Sequence, residues 1–133
     1  MYELTDADRI WNRACYRDPS LSLPGDRALN DLLLAHGYTM NGGVLHAIEC
    51  LSPSELAAAQ AGYRYYGFDS IASLLALARD IFEAGKDLGD HETRLDDKYS
   101  TVIWLDKTLS DAFEKRLKLC PSDFAPLRPQ DRV

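Results

Sequence analysis

The triplet Asn41-Gly42-Gly43 interrupts two stretches of helical apolar spacing, and it constrains the chain more than any other feature. Glycine gives up the most backbone freedom on ordering, so a glycine pair weakens any helix that runs through it. The triplet therefore reads as a turn between helices two and three. Asn41 is expected to cap that turn with its side chain, and Gly42 or Gly43 to take the positive φ.

Around this break the apolar residues recur at i, i+3, i+4, i+7, one face of a 3.6-residue period. Thr5 is placed to cap a first helix whose stripe is Ala7, Ile10, Trp11, Ala14 and Cys15. Asp26 is expected to cap a second, with Ala28, Leu29, Leu32 and Leu33 inward and Gly37 at its end. Val44, Ala47, Ile48 and Leu51 mark a third. Ser52-Pro53-Ser54-Glu55 is a capping box with proline at the first helical position, and the helix it opens stops at Gly67. A fifth starts near Asp69, with Ile71, Leu74, Leu75, Ala78 and Phe82 as its core face and Gly85 as its close. Residues 86–100 read as a polar, acidic loop with a short helical turn. The run Thr101-Val102-Ile103-Trp104-Leu105 is too short to assign to strand or buried helix. A last helix is expected from about Ser110, with Leu109, Ala112, Phe113, Leu117 and Cys120 inward and Pro121 at its stop. The prediction is an all-α bundle of about six helices over residues 1–120, followed by an extended tail over 121–133.

Composition bounds the function. The chain has 133 residues, 46% of them hydrophobic and 27% charged, enough to bury a core. No segment is long and apolar enough to span a bilayer, and no basic-then-apolar leader opens the chain, so the expected location is cytoplasmic. Cys15, Cys50 and Cys120 are odd in number and widely spaced, which argues against a disulfide framework or a zinc site. They read as small buried hydrophobes. The net charge of −6 disfavours direct binding to nucleic acid and suits a basic partner.

The excess charge is concentrated. Residues 80–97 hold seven acids against Lys86 and Arg94. On a helix over 69–87, Asp69, Asp80, Glu83 and Asp87 fall within about 60° of one another, opposite the apolar stripe. Asp90 and Glu92 extend the patch. Two readings are open: an acidic docking surface for a basic protein, or a solvated helix face. Duplex DNA carries about one charge per 1.7 Å, so imitating it along ~30 Å needs roughly 18 negative charges. The chain's 21 acids are offset by 15 bases, which limits any imitation to a local patch.

Chemistry has fewer candidates. His46, Glu49 and Cys50 share one face of the third helix and are the alternative centre, for a metal-dependent or hydrolytic enzyme. No second ligand cluster accompanies them, and His36 and His91 stand alone in the sequence. No phosphate loop or serine elbow is present, and neither a catalytic role nor a cofactor is predicted. In the cluster Tyr63, Tyr65, Tyr66 and Phe68, the first and third tyrosines fit the core face. Tyr65 is expected to be more exposed, beside Arg64.

The order Trp11, Leu23-Pro24, Leu29 to Leu33, Asn41-Gly42-Gly43, Tyr66-Gly67-Phe68 and then the alanine-spaced stretch Ala72 to Ala78 resembles a family of small helical proteins. These are related to a bacterial DNA-mimic protein, and most are domains of unknown function. The resemblance covers roughly residues 8–84. It implies a helical domain, often dimeric, without catalysis. It also implies a mode of action: occupying the site of a nucleic-acid-binding regulator in place of DNA. Where the family commonly has phenylalanine, glutamine and aromatics after the glycines, this chain has Val44, His46 and Ala47. The expectation is a non-enzymatic acidic protein that binds a basic regulator or a toxin. A purely structural homodimer is a further alternative.

Overall fold

The computed structural model describes residues 3–132, and among them it contains seven α-helices, two 3₁₀ turns and no strand. In chain order these are α1 (Asp6–Cys15), α2 (Pro24–Gly42), α3 (Val44–Cys50), α4 (Pro53–Tyr65), α5 (Asp69–Ala84), α6 (Leu88–Val102) and α7 (Asp106–Leu119). The 3₁₀ turns are Pro121–Asp123 and Pro129–Arg132.

Local chemistry explains two starts and two stops. Both Thr5 and Ser52 make reciprocal capping boxes, with Asp8 and Glu55 respectively. Gly67 and Gly85 lie in left-handed backbone at φ 88° and 68°, after α4 and α5. Elsewhere packing overrides local signals. Asp26 does not cap α2: Leu23 is the N-cap, and Asp26 is buried inside the first turn. Gly37 does not end α2 either. An exposed glycine costs a helix only about 1 kcal/mol, and the helix continues to bury Thr39 beyond it.

The expected loop over 86–100 is α6. It buries only Leu95 and Tyr99, too narrow a stripe for a periodicity argument. The ambiguous run 101–105 divides: Thr101 and Val102 finish α6, Ile103 is buried, and Trp104 and Leu105 are exposed. The last helix opens at Asp106, earlier than Ser110. Phe82 is 36% exposed, and Ile81 packs against the core beside it.

The break after α2 is a single residue. Gly43, at φ 98°, separates the two helices, while Asn41 and Gly42 complete the last turn of α2. Asn41 is therefore helical and exposed and not the cap of a turn. The carboxylate of Asp96, reaching over from α6, accepts from the Val44 N–H at 2.8 Å and so caps α3. A Cβ on Gly43 would stand 2.9 Å from that carboxylate.

The main core is shared by α2 to α7, with Tyr63, Ile71, Leu75 and Ala78 fully enclosed. A second cluster joins Ile10, Ala14, Leu29, Phe113 and Phe124. Phe124 belongs to the tail, which is folded onto the bundle and not extended. Arg13 and Asp26 draw it in. Their side chains pair at 3.0 Å, both nearly inaccessible. Arg13 also donates to the carbonyls of Ala125 and Pro126 and to Asp131, and Asp26 accepts from the Ala125 N–H at 2.7 Å. Arg128 bonds Asp131 and Asp18.

These bonds hold the Asp131 carboxyl well below the ordinary carboxylate range, chiefly through Arg128. Asp18, bonded by Ser20 and Arg128, is lowered to about 2. A depressed folded-state pKa stabilises above the unfolded value of about 4 and ceases to as pH falls toward the folded value. Thermal stability is thus expected to stay flat down to about pH 5 and to fall between about pH 4 and 2. Asp131→Asn should weaken the protein at neutral pH and flatten that acid limb. An unchanged limb in calorimetric scans would show that the tail carboxylates do not control it.

Candidate functional site

The predicted acidic residues do not form one ridge. Asp80 and Glu83 lie on the last turns of α5, and both are exposed. Asp87 has left α5: it is the N-cap residue of α6, at φ 55°, and exposed. Asp90 and Glu92 follow in the first turns of α6, also exposed. Because only Gly85, Lys86 and Asp87 separate the two helices, these five acids gather at one end of the α5–α6 hairpin. Asp69 is at the other end of α5, eleven residues and about 16 Å from Asp80 at 1.5 Å per residue.

Pairing divides them further. Glu83 accepts from Arg79 at 2.9 Å, an i,i+4 pair. Asp80, Asp87, Asp90 and Glu92 make no ion pair among the described residues. Asp96 is committed to capping α3. The charge run was visible in the sequence, but which of its members remain free was not.

The alternative centre is partly assembled. The Cys50 thiol lies 3.6 Å from His46 Nε2, with Glu49 exposed beside them. The His46 ring rests edge-on against Tyr38, with centroids 6.2 Å apart. Among the described residues no group of three potential metal ligands comes together. The hollow beside Gly43, about 260 Å³, is walled by Asn41, Gly42, Asp96 and Tyr99. Cys15 and Cys50 are exposed and Cys120 half-buried, a correction to their reading as core residues: each stands at the C-terminal end of its helix.

His36 was missed as a site residue. It is buried on α2, with Nε2 2.9 Å from Asp106 and Nδ1 2.8 Å from the Tyr99 hydroxyl, itself 2.6 Å from the Tyr63 hydroxyl. A carboxylate only accepts, so the neutral ring carries its hydrogen on Nε2 and accepts at Nδ1. With that tautomer Tyr63 donates to Tyr99, Tyr99 to His36, and His36 to Asp106. Burial pushes both phenols up, Tyr63 and Tyr99 alike, so they stay protonated. The four residues come from α2, α4, α6 and α7 and tie those helices together. No signal in sequence spacing brings such distant positions together.

Tyr99→Phe should orphan both the His36 acceptor and the Tyr63 donor, and each unsatisfied buried group costs about 1–3 kcal/mol. Tyr63→Phe removes one donor only and should cost about 1 kcal/mol. Denaturant midpoints of the two variants check the order. Equal losses would mean that the directed chain is wrong.

Tyr65, expected to be exposed, is half-buried and donates to Asp123 at 2.5 Å. Tyr63 is buried as expected, and the Tyr66 hydroxyl donates to the Gly25 carbonyl at 2.8 Å. Among the described residues no helix is long and apolar enough to cross a membrane. The fold and surface together define an all-helical bundle with carboxylates gathered at one end of a helical hairpin. No protein-family model matches the chain, and no curated protein or solved structure gives a match.

Proposed function

We propose that this chain is a non-enzymatic binding protein whose α5–α6 end occupies a basic site on another protein. One observation supports the reading above others: Asp80, Asp87, Asp90 and Glu92 are exposed, close in the fold and unpaired among the described residues. Holding like charges together without partners works against folding, and a cationic surface relieves that repulsion on docking. The partner class is a nucleic-acid-binding regulator or a toxin, in either case a protein with a basic site built for a polyanion. The docking patch is local and covers part of what a duplex would cover. Glu83 contributes less because Arg79 already holds it, and Asp69 lies outside the patch.

Complementary charge mainly raises the association rate and makes it sensitive to salt. Reversing Asp80, Asp87, Asp90 and Glu92 to lysine is expected to weaken capture of the partner at least tenfold near 50 mM salt, about 1.4 kcal/mol. Wild-type capture should fall similarly on moving to ~0.5 M salt, where the screening length is only a few ångströms. Asp69→Lys should leave capture unchanged. Quantitative pull-downs with the three proteins read this directly, and full retention by the fourfold variant at low salt refutes the proposal.

A further inference from the structure

A hollow of about 670 Å³ opens where the end of α4, the start of α5 and one face of α7 meet. Its charge is opposite to that of the chain. Arg64, Lys115 and Arg116 line it, and none of the three is ion-paired among the described residues. Asp69 is the one carboxylate in its lining. The Arg116 guanidinium lies over the Tyr65 ring, 4.3 Å from its centroid, and its buried Nε donates to nothing among the described residues. Of the three cations, Arg116 is thus held by the Tyr65 ring, whose hydroxyl donates to the nearby Asp123, while Arg64 and Lys115 make no ion pair among the described residues.

One further feature of the same hollow favours an anion, and another suits a ring. The helix α5 opens into it with Phe68 at the N-cap, which supplies no side-chain acceptor. The Ile71 and Ala72 N–H groups turn back to the Phe68 carbonyl, whereas those of Asp69 and Ser70 bond nothing among the described residues. Free N–H groups at a helix start attract phosphate. Part of the wall is apolar: Phe68 is half-buried, and Leu119 is 67% exposed, an unusual setting for a large aliphatic residue. The volume lies within the range of small-ligand sites.

We infer that this hollow binds a small organic phosphate of the nucleotide size class. Arg64, Lys115 and the free N–H groups of α5 hold the phosphate, and the ring system lies against Phe68 and Leu119. The site is separate from the carboxylate patch and independent of the docking function assigned to it.

The probes are AMP, adenosine and inorganic phosphate, followed by backbone-amide NMR. AMP is expected to shift the amides of Gly67, Asp69, Ser70 and Lys115 with a Kd below about 1 mM. Adenosine lacks the anion and phosphate lacks the ring, so each should bind at least tenfold more weakly. Arg64→Glu combined with Lys115→Glu should weaken AMP at least tenfold. Both side chains are exposed, and retained amide dispersion verifies the fold. Asp69→Asn should tighten binding. The inference is overturned if about 10 mM AMP moves no amide around the hollow, if adenosine or phosphate binds as well as AMP, or if the double variant binds AMP unchanged.

Discussion

Asp26→Ala is expected to destabilise the protein by about 3–5 kcal/mol, the loss typical of removing one partner from a buried ion pair. Asp26 is 2% exposed and Arg13 5%, so the guanidinium left behind cannot recover its hydration and keeps Asp131 as its one carboxylate partner. The loss extends beyond the pair. Asp26 also accepts from the Ala125 N–H, so the alanine variant orphans a tail amide and loosens the segment that carries Phe124 into the second core. For a chain of this size the melting temperature should fall by roughly 10–15 °C. Replacing both partners with apolar residues, Arg13→Met with Asp26→Leu, removes the buried pair but leaves Asp131 to Arg128 alone and strips the Ala125 and Pro126 carbonyls of their donor, so it should recover only part of that loss. Calorimetry on the single and double variants separates these outcomes. A loss below about 1 kcal/mol for Asp26→Ala would mean that the pair does not anchor the tail.

Two glycine-to-alanine changes should move stability in opposite directions. Gly62 is buried on α4 where that helix crosses α2, and a Cβ there would stand 2.5 Å from the Ala28 carbonyl oxygen. Main chain cannot rotate aside as a side chain does, so α4 and α2 must separate. The packing of Leu32, Ala59 and Tyr63 then loosens. Gly62→Ala is expected to cost about 3 kcal/mol, at the upper end of overpacking losses. Gly37 is exposed inside α2, and a Cβ there meets nothing within 4 Å. Gly37→Ala should stabilise by about 0.5–1 kcal/mol through the lower entropy of the unfolded chain. Urea midpoints at constant slope measure both changes. A neutral Gly62→Ala would show that the helices are not in backbone contact there.

Several elements were legible before any coordinates because their causes lie within a few residues. The capping boxes at Thr5 and Ser52 need only residues three apart. Gly85 as the stop of α5 needs only a left-handed backbone, and the core face Ile71, Leu74, Leu75, Ala78 needs only the helical period. Where reading failed, the cause was distant in sequence. The helix α6 has a polar surface and two buried residues, so its helicity depends on packing against α3 and α5. Asp26 looks like a cap because acids favour helix starts, but Arg13 on another helix takes its carboxylate. The tail looks extended because it is rich in proline and charge, but Phe124 has a cavity to fill.

The candidate sites divide in the same way. The carboxylates of 80–97 can be counted in the chain, and the i,i+4 spacing of Arg79 and Glu83 can be read there too, whereas the loss of Asp96 to α3 needs three dimensions. The hollow of Arg64, Lys115 and Arg116 joins positions about fifty residues apart, and the His36 chain joins four helices.

By itself, then, the sequence determined the helical class, two capped starts, the stop at Gly85 and the sign of the net charge. Each follows from interactions between neighbours in the chain. The tertiary structure alone decided which charges are buried in pairs, which remain free, and where cations collect in an acidic molecule. Those outcomes depend on distances between residues that the chain keeps far apart and only the packing of helices brings together.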